Sequence, residues 1–237
     1  MAAWFAGGGK KGINGMEYVV EIKNLSRKFG DETVVREVTM SLESGKIYGV
    51  AGRNGSGKTV LFKMIIGFLR PSSGKIFVHG KEIGKERDFA EDIGIIIETP
   101  GFLGGFSGYK NLEYLACIKK QIGKEEIRES MRLVGLDPDN KKKVKKYSLG
   151  MRQRLGIAQA IMEHPKLLIL DEPMNGLDRE GAAEIRALFL KLKAEGVTIL
   201  LASHHREDIE ELCDEVYEME DGRLQTYIPG ACGYRTV

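Results

Sequence analysis

Short apolar runs and amphipathic stretches alternate along most of the chain. Runs rich in β-branched residues at 18–22 and 33–42 predict two strands that enter the fold as an antiparallel pair, and 75–83 predicts a short hairpin. Continuous apolar runs, typical of strands buried on both faces, lie at 46–51, 93–97, 167–170, 197–202 and 216–219. The last three alternate with helical patterns at 180–194 and 205–212. The pattern therefore predicts an α/β fold with a mostly parallel sheet and an N-terminal antiparallel β subdomain.

The remaining helical patterns form one block and one separate segment. From 107 to 163, apolar residues recur at helical spacing, which predicts a helical insertion. Its last helix is expected to begin near Met151 and to end at His164, because Pro165 disfavours a helical residue before it. A separate apolar helix is predicted over 60–68, and we expect Pro71 to stop it.

The ends of the chain differ from its middle. Residues 1–15 contain a Gly7–Gly9 run and few charges, which predicts a flexible leader. Residues 16–227 are expected to form a single domain that includes the helical part at about 107–163. Residues 228–237 contain Pro229, Gly230 and Gly233 and are expected to be a tail without regular structure.

Composition and charge exclude several classes of protein. Thirty-six Lys and Arg against 34 Asp and Glu give a net charge of +2, too small to indicate a nucleic-acid partner. No apolar run approaches the roughly 20 residues that span a bilayer. The three cysteines are far apart and include no C-x-x-C pair, which argues against a disulfide framework and a zinc site. We expect a protein of the reducing cytosol.

A glycine-rich segment between a predicted strand and a predicted helix fits the pattern G-x-x-x-x-G-K-[ST]. Its residues are Gly52, Arg53, Asn54, Gly55, Ser56, Gly57, Lys58 and Thr59. Backbone N–H groups of such a loop surround phosphate oxygens, and the following helix adds the positive end of its dipole. Lys58 would reach the β- and γ-phosphates, and Thr59 would offer a hard oxygen to Mg²⁺. Since 140–143 lacks the Asp of a guanine-reading motif, ATP is the predicted nucleotide.

Two acids follow the buried strand 167–170. Side chains alternate along a strand, so Asp171 and Glu172 are expected to point differently and to have different roles. Asp171 would hold Mg²⁺, and Glu172 would orient the water that attacks the γ-phosphate. The other interpretation of such a pair is a solvated strand end.

The strand 197–202 delivers Ser203, His204 and His205 to the same sheet edge, where ligands of open α/β sheets bind. A histidine at a strand end is more often structural than functional. We assign His204 to the γ-phosphate because of the order of the motifs. His205 is interpreted as structural.

These motifs in this order resemble the ATP-binding subunit of ABC transporters over residues 17–225. The motifs are the phosphate loop, Tyr147-Ser148-Leu149-Gly150-Met151-Arg152-Gln153-Arg154, the strand acids, Asn175-Gly176-Leu177-Asp178 and His204. By position, the resemblance implies that Phe29 stacks on the base. It also implies that the segment from Asn175 to Asp178 is the loop that joins two active sites. Phe29 has a core role as its alternative.

The signature of that family, LSGGQ, is altered here. Ser148 and the second glycine, Gly150, are kept, whereas the first glycine and the glutamine are replaced by Leu149 and Met151. Both kept residues lie at a predicted helix start, which suits a γ-phosphate. In the family that phosphate belongs to a partner subunit. The resemblance thus implies a dimer of this chain with itself or with a paralogous ATPase.

A glutamate, Glu98, stands where the family usually has glutamine after its buried strand. It would place an extra anion near Mg-ATP, as a metal ligand or a catalytic group. Together with the altered signature, Glu98 resembles the subgroup that exports bacitracin or lantibiotic-type peptides and confers immunity. The implied partner is an integral membrane permease, which would attach the chain to the cytoplasmic face of the membrane.

Two other functions stay open: a soluble ABC-type ATPase acting on DNA or ribosomes, and an ATP-binding switch with little turnover. Intact Lys58, Asp171, Glu172 and His204 argue against the switch. The segment 102–109 is expected to lie beside the permease, or to be an ordinary loop. The lysine run 141–146 is interpreted as a solvated loop, since the rest of the chain is nearly neutral.

Overall fold

A computed structural model describes residues 18–98 and 100–227 of the protein, except for the side chains of Arg206 and Tyr227. The predicted leader at 1–15 and the predicted tail at 228–237 lie outside the described residues.

The N-terminal part forms a four-stranded antiparallel sheet. Its strands are β1 (Tyr18–Phe29), β2 (Glu32–Glu43), β4 (Ser73–Val78) and β5 (Lys81–Glu82). Their order is β2-β1-β4-β5. The predicted antiparallel entry and the predicted hairpin are both present.

The second sheet has six strands in the order β10-β9-β3-β8-β7-β6. They are β3 (Ile47–Ala51), β6 (Ile93–Ile96), β7 (Leu167–Asp171), β8 (Thr198–Ala202), β9 (Glu215–Glu220) and β10 (Arg223–Tyr227). Every pairing in it is parallel except that of β10 with β9. The predicted α/β architecture is confirmed.

The described part of the chain contains six helices. They are α1 (Lys58–Ile66), α2 (Gly108–Lys119), α3 (Lys124–Leu133), α4 (Leu149–Ile161), α5 (Arg179–Ala194) and α6 (Arg206–Leu212). A 3₁₀ turn at Val144–Lys146 precedes α4. The block 107–163 contains α2, α3 and α4, whereas residues 134–143 within it are not helical.

The central strands are buried on both faces, as their continuous apolar runs predict. On β8, Ile199 and Leu201 join one core cluster, together with apolar residues of α4 and α5. Leu200 points to the opposite face and joins the other cluster, which contains the apolar side of α1. The period-two alternation of a strand therefore connects two core layers through one sheet.

Several boundaries differ from the predictions. Strand β1, predicted over 18–22, continues to Phe29, and helix α1, predicted from residue 60, begins at Lys58. Helix α1 ends at Ile66 because Gly67 is in the left-handed region, with φ 92°, and its N–H bonds to Met64 O; Pro71 is not the stop. Helix α4 begins at Leu149 and not near Met151, since the side chain of Ser148 caps it, and it ends at Ile161 and not at His164. Strand β10 was not predicted, because it is short and largely polar.

Three parallel strands end at the same level. Ala202 of β8 pairs with Val50 of β3 on one side and with Asp171 of β7 on the other. The glycine-rich segment, the acids and the histidine segment come directly after these positions. The topology therefore brings the three predicted motifs to one edge of the sheet.

Candidate nucleotide-hydrolysis site

The phosphate loop connects β3 to α1 in a conformation that glycine favours. Gly57 forms the start of α1 with φ 109°, and a Cβ at this position would lie 2.9 Å from Val34 O. Gly52, with φ 150°, packs so closely that a Cβ would lie 2.4 Å from Met219 O. Neither position accepts a side chain without a change of the backbone. The two glycines thus fix the loop as a narrow turn before the helix.

Lys58 is buried in the mouth of this loop and is 6% exposed. Its ammonium donates to Gly52 O at 2.6 Å and to Arg53 O at 3.0 Å. Among the described residues, no carboxylate forms an ion pair with it within 4.0 Å. Buried charges in proteins are normally paired. The loop therefore holds a buried cation beside backbone N–H groups, an arrangement that fits a phosphate.

The hydroxyl of Ser56 supports the same interpretation. Ser56 Oγ is buried and has no hydrogen-bond partner in the part of the chain that the structure describes. Its backbone N–H donates to Arg53 O at 3.2 Å. The neighbouring residues Arg53 and Asn54 are exposed. Buried hydroxyl groups normally have a hydrogen-bond partner, so this one indicates that a polar ligand binds at the phosphate loop.

Asp171 and Thr59 meet across the site. Thr59 Oγ1 donates to Asp171 Oδ2 at 2.5 Å. Burial raises the pKa of Asp171 above the ordinary value of an aspartic acid, and the charges of Glu172 and Glu98 raise it further. The hydrogen bond from Thr59 and the charge of Lys58 lower it. Asp171 is partly buried and lies near other carboxylates, so a bound cation would stabilise its charged form.

No group of three or more His, Cys, Asp and Glu that would hold a metal ion occurs within 18–98 and 100–227. Mg²⁺ that is bound together with a nucleotide commonly uses only one or two protein ligands. The hydroxyl of Thr59 and the carboxylate of Asp171 are such a pair. Mg²⁺, when bound there, would neutralise charge on the phosphates.

We expect Asp171→Asn to stabilise the nucleotide-free protein. The raised pKa means that the folded state binds the proton more tightly than the unfolded state, so ionised Asp171 lowers stability as the pH rises through this range. Asn removes the charge and still accepts the bond from Thr59. Thermal unfolding at pH 7.5 should shift upward by about 2–4 °C for each kcal/mol gained. The difference from wild type should shrink as the pH falls.

The same variant should lose any further stabilisation by Mg-ATP. Nucleotide-free Asp171→Asn that melts below wild type at pH 7.5 would contradict the assignment of a destabilising, cation-seeking carboxylate.

Glu172 follows the last residue of β7 and has other partners than Asp171. Its backbone has φ 50°, a left-handed conformation that is uncommon for a residue with a side chain. Glu172 Oε2 lies 2.8 Å from His204 Nδ1 and accepts weakly from His204 N at 3.4 Å. Glu172 Oε1 is buried and has no hydrogen-bond partner among the described residues. The carboxylate therefore has one oxygen held by the histidine and one oxygen without a described partner.

The loop that carries His204 is fixed by a network absent from the sequence analysis. Ser203 Oγ donates to Asp208 Oδ2 at 2.9 Å and accepts from His205 N at 3.1 Å. Asp208 is buried, and Arg186 Nε of α5 donates to its other oxygen at 3.0 Å. The signal in the sequence is an acid four residues after His204, within the first turn of α6. The network positions the histidine against Glu172.

Glu98 lies at the end of β6 with φ 60°, and its side chain is 65% exposed. Lys63 of α1 forms an ion pair with it at 2.6 Å. Its charge contributes to the raised pKa of Asp171, but the carboxylate makes no hydrogen bond to Asp171 or Thr59 among the described residues. Its roles as metal ligand and catalytic group remain predictions.

Phe29 ends β1 and is 43% exposed, which excludes the core role considered for it. The guanidinium of Arg27 lies 4.5 Å from the centre of its ring. A cleft of about 400 Å³ opens between the start of β2, the phosphate loop and the β9–β10 turn. It is lined by Glu32, Thr33, Val34, Arg36, Gly55, Asp221, Gly222 and Arg223. Phe29 does not line this cleft, and base stacking on Phe29 remains a prediction.

The altered signature lies at the start of α4. Ser148 is exposed, and its Oγ accepts from Met151 N at 3.1 Å. Among the described residues, Ser148 makes no hydrogen bond to the phosphate loop. Within one chain, the signature and the phosphate loop are thus separate features.

The signature packs against the loop 175–178. A Cβ on Gly176 would lie 2.4 Å from Leu149 Cγ, and a Cβ on Gly150 would lie 2.9 Å from Gly176 O. Gly176 therefore makes room for the leucine that replaces the first signature glycine. Asp178 caps α5, because its Oδ1 accepts from Gly181 N at 2.8 Å. A nucleotide contact of Asp178 remains a prediction.

Gln153 connects α4 to the segment that follows β7. Its Nε2 donates to Pro173 O at 2.9 Å and is 3.4 Å from Glu172 O. The start of the signature helix and the segment after Glu172 are therefore held together directly.

None of the helices in 18–98 and 100–227 is long and apolar enough to cross a membrane.

Comparisons with known proteins agree with this geometry. A sequence model described as "ABC transporter" matches residues 35–175. The bacitracin transport ATP-binding protein BcrA of Enterococcus faecalis is 43% identical over 211 residues, which cover 88% of this chain and 68% of BcrA. The lantibiotic transport ATP-binding protein SrtF of Streptococcus pyogenes is 37% identical over 206 residues, which cover 87% of this chain and 89% of SrtF.

A solved dimeric ATP-binding cassette in a post-hydrolysis state, bound to ADP and Pi, has the same fold. Its TM-score is 0.79 at 20% identity, over 88% of this chain and 97% of that chain. The match to the family model and the identity to BcrA establish the family. The chain belongs to the ATP-binding subunits of ABC transporters and is an ATPase of that family.

Proposed function

We propose that this chain hydrolyses Mg-ATP in a dimer and thereby drives a separate membrane permease that exports an antimicrobial peptide. The observation that carries the proposal is the position of Glu172. One oxygen is held by His204, and the other is buried without a partner among residues 18–98 and 100–227, at the edge that also bears the phosphate loop. A carboxylate in this state is suited to accept a proton from water.

The phosphate-binding part of the site supports ATP as substrate. Lys58 donates to two loop carbonyls, and neither an anionic partner of Lys58 nor a partner of Ser56 Oγ occurs among the described residues. In the proposed complex, the phosphates would replace the carbonyls as partners of Lys58. Phe29 would stack on the base, since its ring is accessible at the end of β1. Thr59 and Asp171 would hold Mg²⁺.

Hydrolysis would depend on the residues that hold water near Glu172. Glu172 Oε1 would accept a proton from the attacking water, and His204, on the other oxygen, would face the γ-phosphate. The Ser203–Asp208–Arg186 network would keep the histidine in place during this step. Such positioning is the main requirement of phosphoryl transfer.

A dimer is proposed because each chain holds only part of the site. Ser148 and Gly150 lie at the start of α4, where the N–H groups and the helix dipole suit a phosphate. They make no hydrogen bond to the phosphate loop of the same chain among the described residues. In the proposed dimer, they would bind the γ-phosphate held by the partner's phosphate loop, and the loop 175–178 would join the two sites. The partner would be a second copy or a paralogous ATPase.

The permease and the exported peptide are proposed from the relatives. BcrA and SrtF are named for bacitracin and lantibiotic transport, and both match this chain over nearly nine tenths of its length. A permease partner would place the chain at the cytoplasmic face of the membrane.

Deleting the gene for this chain should make its host more sensitive to bacitracin or to a lantibiotic by at least severalfold. Growth inhibition would be measured for both peptides and for one unrelated antibiotic. A wild-type copy should restore resistance, and a Glu172→Gln copy should not. Unchanged sensitivity to both peptides would contradict the export proposal and would leave the ATPase assignment intact.

A further inference from the structure

Three asparagines of the chain are followed directly by glycine, and two of these pairs lie in loops of the candidate site. They are Asn54–Gly55 in the phosphate loop and Asn175–Gly176 in the loop 175–178. The third pair, Asn14–Gly15, lies outside the described residues. An asparagine amide reacts most readily before glycine, because glycine has no side chain to keep its backbone nitrogen away from the amide.

The two described pairs occupy the same kind of turn. Ser56 N donates to Arg53 O at 3.2 Å around the first pair, and Leu177 N donates to Met174 O at 3.2 Å around the second. The two glycines have φ of 82° and 79°, as the third residue of a type II turn requires. Both pairs are exposed, and neither glycine N–H donates to a described residue. Sequence, turn type and exposure are therefore matched between the two pairs.

The surroundings of the two pairs differ. A Cβ added to Gly55 would have no heavy atom within 4 Å. Gly176 is packed against the start of α4, because a Cβ there would lie 2.4 Å from Leu149 Cγ, and its carbonyl oxygen is 2.9 Å from the position of a Cβ on Gly150. The peptide group of the first pair therefore has space to rotate, whereas that of the second pair is held by the signature.

We propose that Asn54 is a site of spontaneous deamidation, which inactivates the nucleotide-free protein and which bound nucleotide prevents. The backbone nitrogen of Gly55 attacks the side-chain amide carbon of Asn54. The new N–C bond forms, the C–NH₂ bond breaks, and ammonia leaves with the proton of the N–H group. Water then opens the cyclic imide at either carbonyl carbon and gives aspartate or isoaspartate. The net change is one amide plus water to one carboxylate plus ammonium, so no oxidant or reductant is needed.

Either product places a negative charge in the loop to which the proposed function assigns the phosphates of ATP, and the inference rests on that function. A like charge a few ångströms from the phosphates should weaken ATP binding about tenfold or more. Isoaspartate also lengthens the backbone and displaces the N–H groups beside it. In the opposite direction, bound phosphates would hold the N–H groups of the loop and keep Gly55 N away from the side chain of Asn54.

The test is to incubate the full-length protein at mildly alkaline pH, with and without excess Mg-ADP, and to map the products by mass spectrometry. Without nucleotide, Asn54 should convert severalfold faster than Asn175. Mg-ADP should slow the reaction at Asn54 severalfold and that at Asn175 much less. The fraction of protein that binds ATP should fall as the converted fraction of Asn54 rises, while the circular dichroism spectrum stays that of fresh protein.

Three variants separate this reaction from other forms of ageing. Asn54→Gln forms a cyclic imide much more slowly and should keep its own starting ATP affinity during the incubation. Asn175→Gln is the matched control and should lose affinity at the wild-type rate. Asn54→Asp reproduces one product and, before any incubation, should bind ATP about tenfold or more weakly than Asn54→Gln.

Conversion of Asn54 no faster than that of Asn175 would overturn the proposal, as would absence of protection in protein that binds Mg-ADP. Conversion of Asn54 that leaves the ATP affinity unchanged would also overturn it. These three outcomes leave the proposed function intact. Fresh, unmodified protein that binds no ATP would contradict the proposed function and with it this proposal.

Discussion

Glu172→Gln should bind ATP about as well as wild type and hydrolyse it at least a hundredfold more slowly. The amide cannot accept a proton from water, and a positioned general base contributes roughly 10²–10⁴-fold to a rate. Its oxygen can still accept the contact from the backbone of His204. Because hydrolysis would be lost after binding, ATP should hold the variant in the dimeric state.

The measurement is release of phosphate under saturating Mg-ATP, with nucleotide affinity and dimerisation measured in parallel. Glu129→Gln, at an exposed glutamate of α3 outside the site, is the matched control and should retain wild-type turnover. Wild-type turnover in Glu172→Gln would remove the residue from its proposed role. Loss of ATP binding in the variant would indicate that Glu172 acts on the structure of the site.

Lys58→Ala should lose ATP affinity by about 10- to 150-fold, the range expected when one hydrogen bond to a charged group is removed. The substitution also removes a buried cation that has no anionic partner among the described residues. Its thermal stability without ATP should therefore equal or exceed that of wild type. This combination separates loss of a ligand contact from loss of the fold.

Lys63→Ala is the control on the same helix, since Lys63 pairs with Glu98 and not with the loop carbonyls. Calorimetric titration with ATP would compare the two variants. An unchanged affinity in Lys58→Ala, or an equal loss in Lys63→Ala, would contradict the proposed contact of Lys58 with the phosphates.

The sequence predicts that the site motifs lie at one edge of the sheet, because each motif directly follows a recognisable strand pattern. Continuous apolar runs indicate parallel strands, and parallel strands in an open sheet bring their carboxyl ends to one edge. The phosphate loop, Asp171, Glu172 and His204 each follow such a run. Their common location, and the contact of Glu172 with His204, therefore follow from motif order and topology.

Features that depend on tertiary contacts were harder to predict. Gly67 ends α1 through a backbone conformation that the sequence indicates only weakly beside the stronger signal of Pro71. Strand β10 forms because β9 offers it an edge, not because its own residues favour a strand. The buried Asp208 looks like any acid in the first turn of a helix until Ser203 and Arg186 are seen on either side of it.

The altered signature differs from the family pattern, and a neighbouring glycine makes room for the larger residue. Leu149 replaces a glycine at the start of α4 and fits because it packs on Gly176, which has no side chain. The cap by Ser148 is retained. The altered signature thus keeps the helix start that the proposed phosphate contact requires.

The central claim is that each hydrolytic site combines the phosphate loop of one chain with the signature of another. Ser148→Asp tests the signature half without removing the helix cap, because Asp caps helices as well as Ser does, while its charge would repel a γ-phosphate. Ser107→Asp makes the same change at the cap of α2 and should keep wild-type activity. Ser148→Asp alone and Lys58→Ala alone should each be nearly inactive.

The decisive measurement mixes Lys58→Ala and Ser148→Asp chains in equal amounts and records Mg-ATPase activity. In a mixed dimer, one site carries both changes and the other carries neither. Random pairing makes half of the dimers mixed, so the account predicts recovery to about a quarter of wild-type activity. No recovery above the sum of the two separate variants, although mixed dimers form, would contradict a site shared between chains.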